Sequence, residues 1–191
     1  MFFGLQSMRK TLIKEVSQAI KSWDKTDIYA ISLFVYDNCD NPCEPTVTLG
    51  YNTFTQYNQE LPNASSEQEA KWNYAYWIQN NEYCLGFEDN QKIVRKWLKN
   101  NGFPYYTSNE VFDRNNNIDS DELEKITDAF INELIEVVKE LHNSGFIKNQ
   151  FGKDIPVLIH ELEYYDKIAE QNLKANPPET VKDFVKFCCG E

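Results

Sequence analysis

The stretch Asp27–Asp37, DIYAISLFVYD, constrains the fold more than any other part of this chain. Apolar side chains occupy both parities from Ile28 to Tyr36, whereas a strand with one face in water alternates apolar with polar. Such a strand needs cover on both faces, which predicts a central place in a sheet with packing layers on either side. After the turn-rich NCDNPCEP, the segment TVTLGYN sets Val47, Leu49 and Tyr51 against Thr46, Thr48 and Gly50. That alternation predicts a half-buried second strand, and a connection too short for a helical crossover pairs it antiparallel with the first.

Helical spacing dominates the flanks. Met8, Leu12, Val16, Ile20 and Trp23 form one stripe between Ser7 and Trp23, with Arg9, Lys10, Lys14, Glu15 and Lys21 mostly off it. Residues 51–87 are rich in aromatics around a polar LPNASSEQEAKWNYAYW, whose start reads as loop and whose end as a short helix or strand. Tyr83–Phe87 is a candidate third strand. Asp89 is expected to cap the helix NQKIVRKWLKNNG, where Ile93, Val94, Trp97 and Leu98 share a face and Gly102 supplies the left-handed residue beyond the end. The longest helix is expected from Ser120 to His142, apolar along Leu123, Ile126, Phe130, Leu134, Val137, Val138 and Leu141 and acidic on the opposite side. DIPVLIHELE reads as a last strand, placed at an edge or beginning at Pro156, which has no N–H to donate. YYDKIAEQNLKAN and ETVKDFVKFCC read as two further helices separated by Pro177 and Pro178. No repeat or linker divides residues 1–191, so the expectation is one α+β domain, a small antiparallel or mixed sheet packed by amphipathic helices.

Nineteen Lys and Arg stand against 30 Asp and Glu, and the resulting net charge of −11 repels nucleic-acid phosphates and anionic membranes and favours a basic protein partner. No basic patch, glycine-rich phosphate loop or membrane-spanning apolar run is evident along the chain, and MFFGLQSMRK lacks the apolar core of a secretory signal. The five cysteines have no disulfide rhythm, and Cys39-x3-Cys43 has no second pair to complete a zinc site. A cytoplasmic protein with reduced thiols, no metal and no cofactor is the expectation.

Three groups of residues bear on chemistry. In VFDRNNNIDSDELEKI, a calcium loop starting at Asp113 would take ligands from Asn115, Asn117, Asp121 and Glu124. Ile118 falls where that loop wants glycine, and the turn chemistry between Pro104 and Asp113 leaves no expected entering helix. The competing reading makes Asp119 an N-cap and Glu122 the partner that completes a capping box. Imidazole is scarce: His142 reads as a favourable cation at the end of the long helix, while His160, with Glu161 and Glu163 nearby or with Cys84, is an alternative catalytic set. No G-x-S-x-G elbow or H-E-x-x-H helix accompanies it. Trp72, Tyr74, Tyr76 and Trp77 read either as a binding surface or as a satellite core covering the sheet edge. Glu136 and Glu140, with Glu122 and Asp128, form the acidic helix face that would steer a basic partner.

DIYAISLFVYD after an amphipathic helix, KWNYAYW, GFIKNQFGKDIPVLIHELEYYD and the Asn-Pro of ANPPETVKDF resemble the bacterial domain of unknown function 4303 family over nearly the whole length. Trp72 and Trp77 match tryptophans of its W-x-P-x-E-W segment, while Tyr74 and Tyr76 stand where the family has Pro and Glu. Families of this sort look like immunity proteins encoded beside bacterial toxins. The resemblance implies an immunity-type binding module; with the acidic charge and the lack of a catalytic set, the leading expectation is a non-catalytic module that blocks a basic toxin domain, and the residues themselves offer an enzyme using His160 and a calcium-binding protein using the Asp113 loop as alternatives.

Overall fold

Strand β1 (Ile28–Asp37) lies between two neighbours, antiparallel to β2 (Pro45–Thr53) and parallel to β4 (Val157–His160). A short β3 (Tyr83–Leu85) pairs with the far side of β2, so the mixed sheet runs β3-β2-β1-β4 and the doubly apolar strand is central. The computed structural model describes residues 7–113 and 118–190.

Pleating divides β1 between two cores. Ile31, Leu33 and Val35, with Val47 and Leu49 of β2 and Val157 and Ile159 of β4, face a core built with α1 (Met8–Ser22), α4 (Gln91–Asn100) and α6 (Ser120–Asn143). Ala30 and Phe34, with Leu158, face a second core formed by Trp72, Tyr74 and Trp77 and by α8 (Asp166–Ala175) and α9 (Pro178–Cys188). An irregularity in the β1–β2 register between Ile28 and Ala30 brings Tyr29 and Ala30, sequence neighbours, into the same core. The chain is thus α+β, with the sheet as a middle layer.

The face of β2 expected in water is covered as well: Thr46, Thr48 and Asn52 are buried. Asn52 donates to the Tyr29 hydroxyl at 3.0 Å and Thr46 to the carbonyl of Tyr36 at 2.7 Å, which explains how polar side chains are tolerated there. At Gly50 a Cβ would sit 2.6 Å from the carbonyl oxygen of Asn80, so the chain after Trp77 lies directly on the strand. The helices α2 (Phe54–Glu60) and α3 (Glu67–Trp72) lead into that covering segment.

β4 is the edge strand expected from Pro156, yet it is buried. The outward backbone groups of Val157 and Ile159 are paired by side chains of α8 and of the residue just past its end. Asn172 accepts from Ile159 N–H at 2.9 Å and donates to Ile159 C=O at 2.7 Å. Asn176 does the same for Val157, at 2.9 and 3.0 Å. Four residues apart, the two amides repeat along the helix axis and stand in for a fifth strand.

Several local expectations are corrected. Asp89 does not cap α4; Glu88–Asn90 form a 3₁₀ turn and Asn90 sits at the cap, its side chain bonded to Cys84 C=O at 2.9 Å. Asp119 does cap α6, accepting from Asp121 N–H at 3.0 Å, but Glu122 accepts from the Tyr106 hydroxyl at 3.2 Å. The capping box belongs to α5 (Ser108–Phe112), where Thr107 and Glu110 bond reciprocally. That five-residue helix precedes Asp113, where no helix was expected. α6 ends at Asn143, and Gly145, at φ 73°, starts α7 (Phe146–Phe151). His142 does lie in the last turn of α6, but its ring points inward, its nitrogens 3.2 Å from Asp154 Oδ1 and 3.1 Å from Asn176 Oδ1. Among the described residues no helix is long and apolar enough to cross a membrane.

Replacing Asn172 with alanine strands a buried N–H on β4, at a cost of about 1–3 kcal/mol plus the lost amide packing. Asn172→Ala is expected to lower unfolding free energy by roughly 2–4 kcal/mol in urea denaturation. An exposed control, Lys174→Ala, should change it by less than about 0.5 kcal/mol.

Candidate functional site

The residues expected to bind a partner do not share a surface. Trp72, Tyr74 and Trp77 are buried in the second core, and Tyr76 is half-buried beside them. This is the satellite-core reading, with one difference: the cluster covers a sheet face, not its edge. Trp77 Nε1–H donates to Lys71 C=O at 2.9 Å and the backbone N–H of Tyr74 to the Tyr164 hydroxyl at 2.8 Å, while the buried Trp72 indole N–H has no partner among the described residues. Glu136 and Glu140 lie on α6, which packs against the opposite face of the sheet. Glu136 pairs with Lys139 at 2.9 Å, and this hydrogen bond holds its carboxyl below the usual range.

His160 is sealed inside the second core at 1% exposure, not at a solvent-facing strand end. Its Nδ1 lies 3.1 Å from the backbone oxygen of Glu161, which only accepts, so Nδ1 carries the proton. Nε2 therefore accepts from the Ser32 hydroxyl at 2.8 Å. Phe34, Tyr74, Trp77 and Tyr164 surround the ring, and burial pushes its pKa down to about 4. The Ser–His polarity would suit nucleophile activation, but Ser32 is also 1% exposed, and no substrate atom can approach it in this state. Ser32 was legible as the one small polar residue inside the apolar run, a position that demands a buried partner.

The proposed companions of His160 point elsewhere. Cys84 is on β3 and His160 on β4, at opposite edges of the sheet. Glu161 offers His160 its carbonyl, while its side chain, with exposed Glu163, lines a cavity of about 340 Å³. Asn115 and Asn117 of the calcium reading lie outside the described residues, and among the described residues no three His, Cys, Asp or Glu side chains group as metal ligands.

That cavity opens where the parallel strands β1 and β4 both end. Such carboxyl ends are where connecting loops diverge and leave a crevice. β1 contributes Asp37, the loop after β4 contributes Glu161, Leu162 and Glu163, and α6 closes one wall with Thr127. Asp37 is pushed up to about 6, first by burial and then by the charges of Glu161 and Asp40. Burial raises Glu161 as well, with Lys167 and the Tyr165 hydroxyl opposing the shift. Among the described residues no cation lines the cavity, and Lys167 acts on Glu161 from outside its lining. Beside the carboxylates, Leu162 is 70% exposed and Tyr36 and Tyr165 are partly so. The arrangement can take a cationic group carried on an apolar stem. Asp37 and Leu162 escaped sequence reading because one ends an apolar strand and the other sits among acidic residues, and neither belongs to a local motif. No family model, curated protein or solved structure matches the chain.

Asp37 and His160 drive stability in opposite directions with pH. Raised above its ordinary value of 3.8, Asp37 contributes stability that is present below pH 3.8 and is lost as pH rises through about 6. His160, lowered from 6.5, contributes stability present above pH 6.5 and lost as pH falls through about 4. Asp37→Asn removes only the first effect. The variant should exceed the parent by roughly 1–2 kcal/mol at neutral pH, with the advantage gone by about pH 4, in urea denaturation across that range.

Proposed function

We propose that this chain is a non-catalytic, cytoplasmic protein-binding module whose acidic cavity at the ends of β1 and β4 receives a Lys or Arg side chain of a basic partner, as an immunity protein would from a toxin domain. One observation carries the reading: Asp37 and Glu161 hold partly desolvated, mutually repelling carboxylates in a cavity that no cation lines among the described residues, beside exposed Leu162. A bound guanidinium or ammonium would relieve that repulsion, and its stem would cover the apolar rim. The net charge of −11 would speed the encounter. The resemblance to the bacterial domain of unknown function 4303 family belongs to the same proposal and supplies the kind of partner.

Glu136 and Glu140 keep a lesser role here. They are half-buried and exposed positions on α6, so they would steer the partner without anchoring it.

The test is binding to the product of the neighbouring open reading frame. Asp37→Asn/Glu161→Gln is expected to raise Kd by roughly 30-fold or more, as when one partner of a desolvated charge pair is removed. Glu136→Gln/Glu140→Gln should mainly slow association and flatten its salt dependence. Equal affinity for the first double variant and the parent, by calorimetry, would reject the cavity as the anchor.

A further inference from the structure

A cavity of about 640 Å³ lies on the other side of the sheet, between the first turns of α1 and the outer face of α4. Its volume falls within the range of small-molecule sites. Its charge is opposite in sign to that of the molecule: Arg9, Lys10, Lys92 and Lys96 face two carboxylates, Glu133 and Glu140. Arg9 is taken by Glu133 at 2.7 Å. Lys10, Lys92 and Lys96 have no ion-pair partner among the described residues. In a protein with 11 excess negative charges, three unpaired ammonium groups around one cavity are not an average surface. The first turn of α1 carries no acidic residue, so its free N–H groups add to the positive potential.

The interior of the cavity is apolar. Met8, Ile13, Ile93 and Trp97 supply its lining, with Met8 and Trp97 buried. Trp97, only 7% exposed, lies at the buried side of this lining.

We infer that this cavity binds a small organic anion with an apolar body, an acyl or aryl carboxylate. The body lies against Met8, Ile13, Ile93 and Trp97, and the head group is held by Lys10, Lys92 and Lys96. The site is independent of the acidic cavity and of the partner proposed for it.

Decanoate, below its micelle threshold, serves as the probe in calorimetry with the full chain. Saturable one-to-one binding is expected, with decan-1-ol and decylammonium at least about tenfold weaker because they lack the anion. Lys92→Glu/Lys96→Glu should weaken decanoate by about tenfold or more with an unchanged urea midpoint, both lysines being on the outer face of α4. Asp37→Asn/Glu161→Gln should bind decanoate as the parent does, which separates this site from the acidic cavity. Equal affinity for decan-1-ol, or an unaffected lysine variant, overturns the inference. Co-sedimentation with phosphatidylglycerol vesicles in the absence of decanoate binding also overturns it and assigns the lysines to a lipid surface.

Discussion

The amide ladder made by Asn172 and Asn176 on β4 is the contact on which the arrangement of the second layer depends. A sheet edge presents N–H and C=O groups that need partners, and most proteins leave them to water or to another strand. Here α8 and α9 cover that edge to complete the second core, so water is excluded and backbone groups need partners from side chains. Asparagine suits the task because its amide carries one donor and one acceptor side in the same spacing as a peptide. Spacing the two at i and i+4 places both on one helix face, opposite alternate residues of the strand. The consequence reaches the acidic cavity, because the loop that carries Glu161, Leu162 and Glu163 is strung between β4 and α8.

Asn176 joins two polar systems. Its Oδ1 accepts from Val157 N–H and lies 3.1 Å from His142 Nε2, while His142 Nδ1 faces Asp154. The end of α6, the start of β4 and the end of α8 are therefore tied by one buried network, in addition to apolar packing. Deep within the second core, Ser32 and His160 tie β1 to β4 in a similar manner. Buried polar pairs of this kind add little net stability when complete, but leave a large penalty when one member is lost, which favours this strand pairing over alternatives.

Elements whose signals are local were readable from residue order. The stripe of α1, the two-parity run of β1, the Gly102 terminator and the Pro177–Pro178 break all express periodicity or backbone preference within a few residues. The pattern Thr107-x-x-Glu110 was equally local and was passed over in favour of Asp119-x-x-Glu122, which has the same form. Only the hydroxyl of Tyr106, brought up from the preceding loop, decides that Glu122 is occupied elsewhere. Trp72, Tyr74 and Trp77 were ambiguous for a different reason. Aromatic residues with polar atoms serve surfaces and cores alike, and the choice depends on whether a backbone carbonyl such as that of Lys71 is within reach. Neither cavity was legible, since each assembles charges from segments far apart in the chain.

Charge segregation is what distinguishes the two cavities from the rest of the surface. A uniformly acidic protein would spread its carboxylates over exposed positions, where water and salt screen them. Asp37 instead lies at the rim of the sheet, where burial and its neighbours Glu161 and Asp40 make ionisation costly. On the other side of the sheet, Lys10, Lys92 and Lys96 gather around one cavity with Glu133 and Glu140, and none of the three has an ion-pair partner among the described residues. The carboxylate arrangement opposes folding in the isolated chain, since burial raises both Asp37 and Glu161. Groups held against their electrostatic preference on a rigid scaffold gain more from an opposite charge than solvated groups do, because the desolvation has been paid in folding. The sheet supplies that rigidity, with β1 fixed on both sides and β4 closed by the two asparagines.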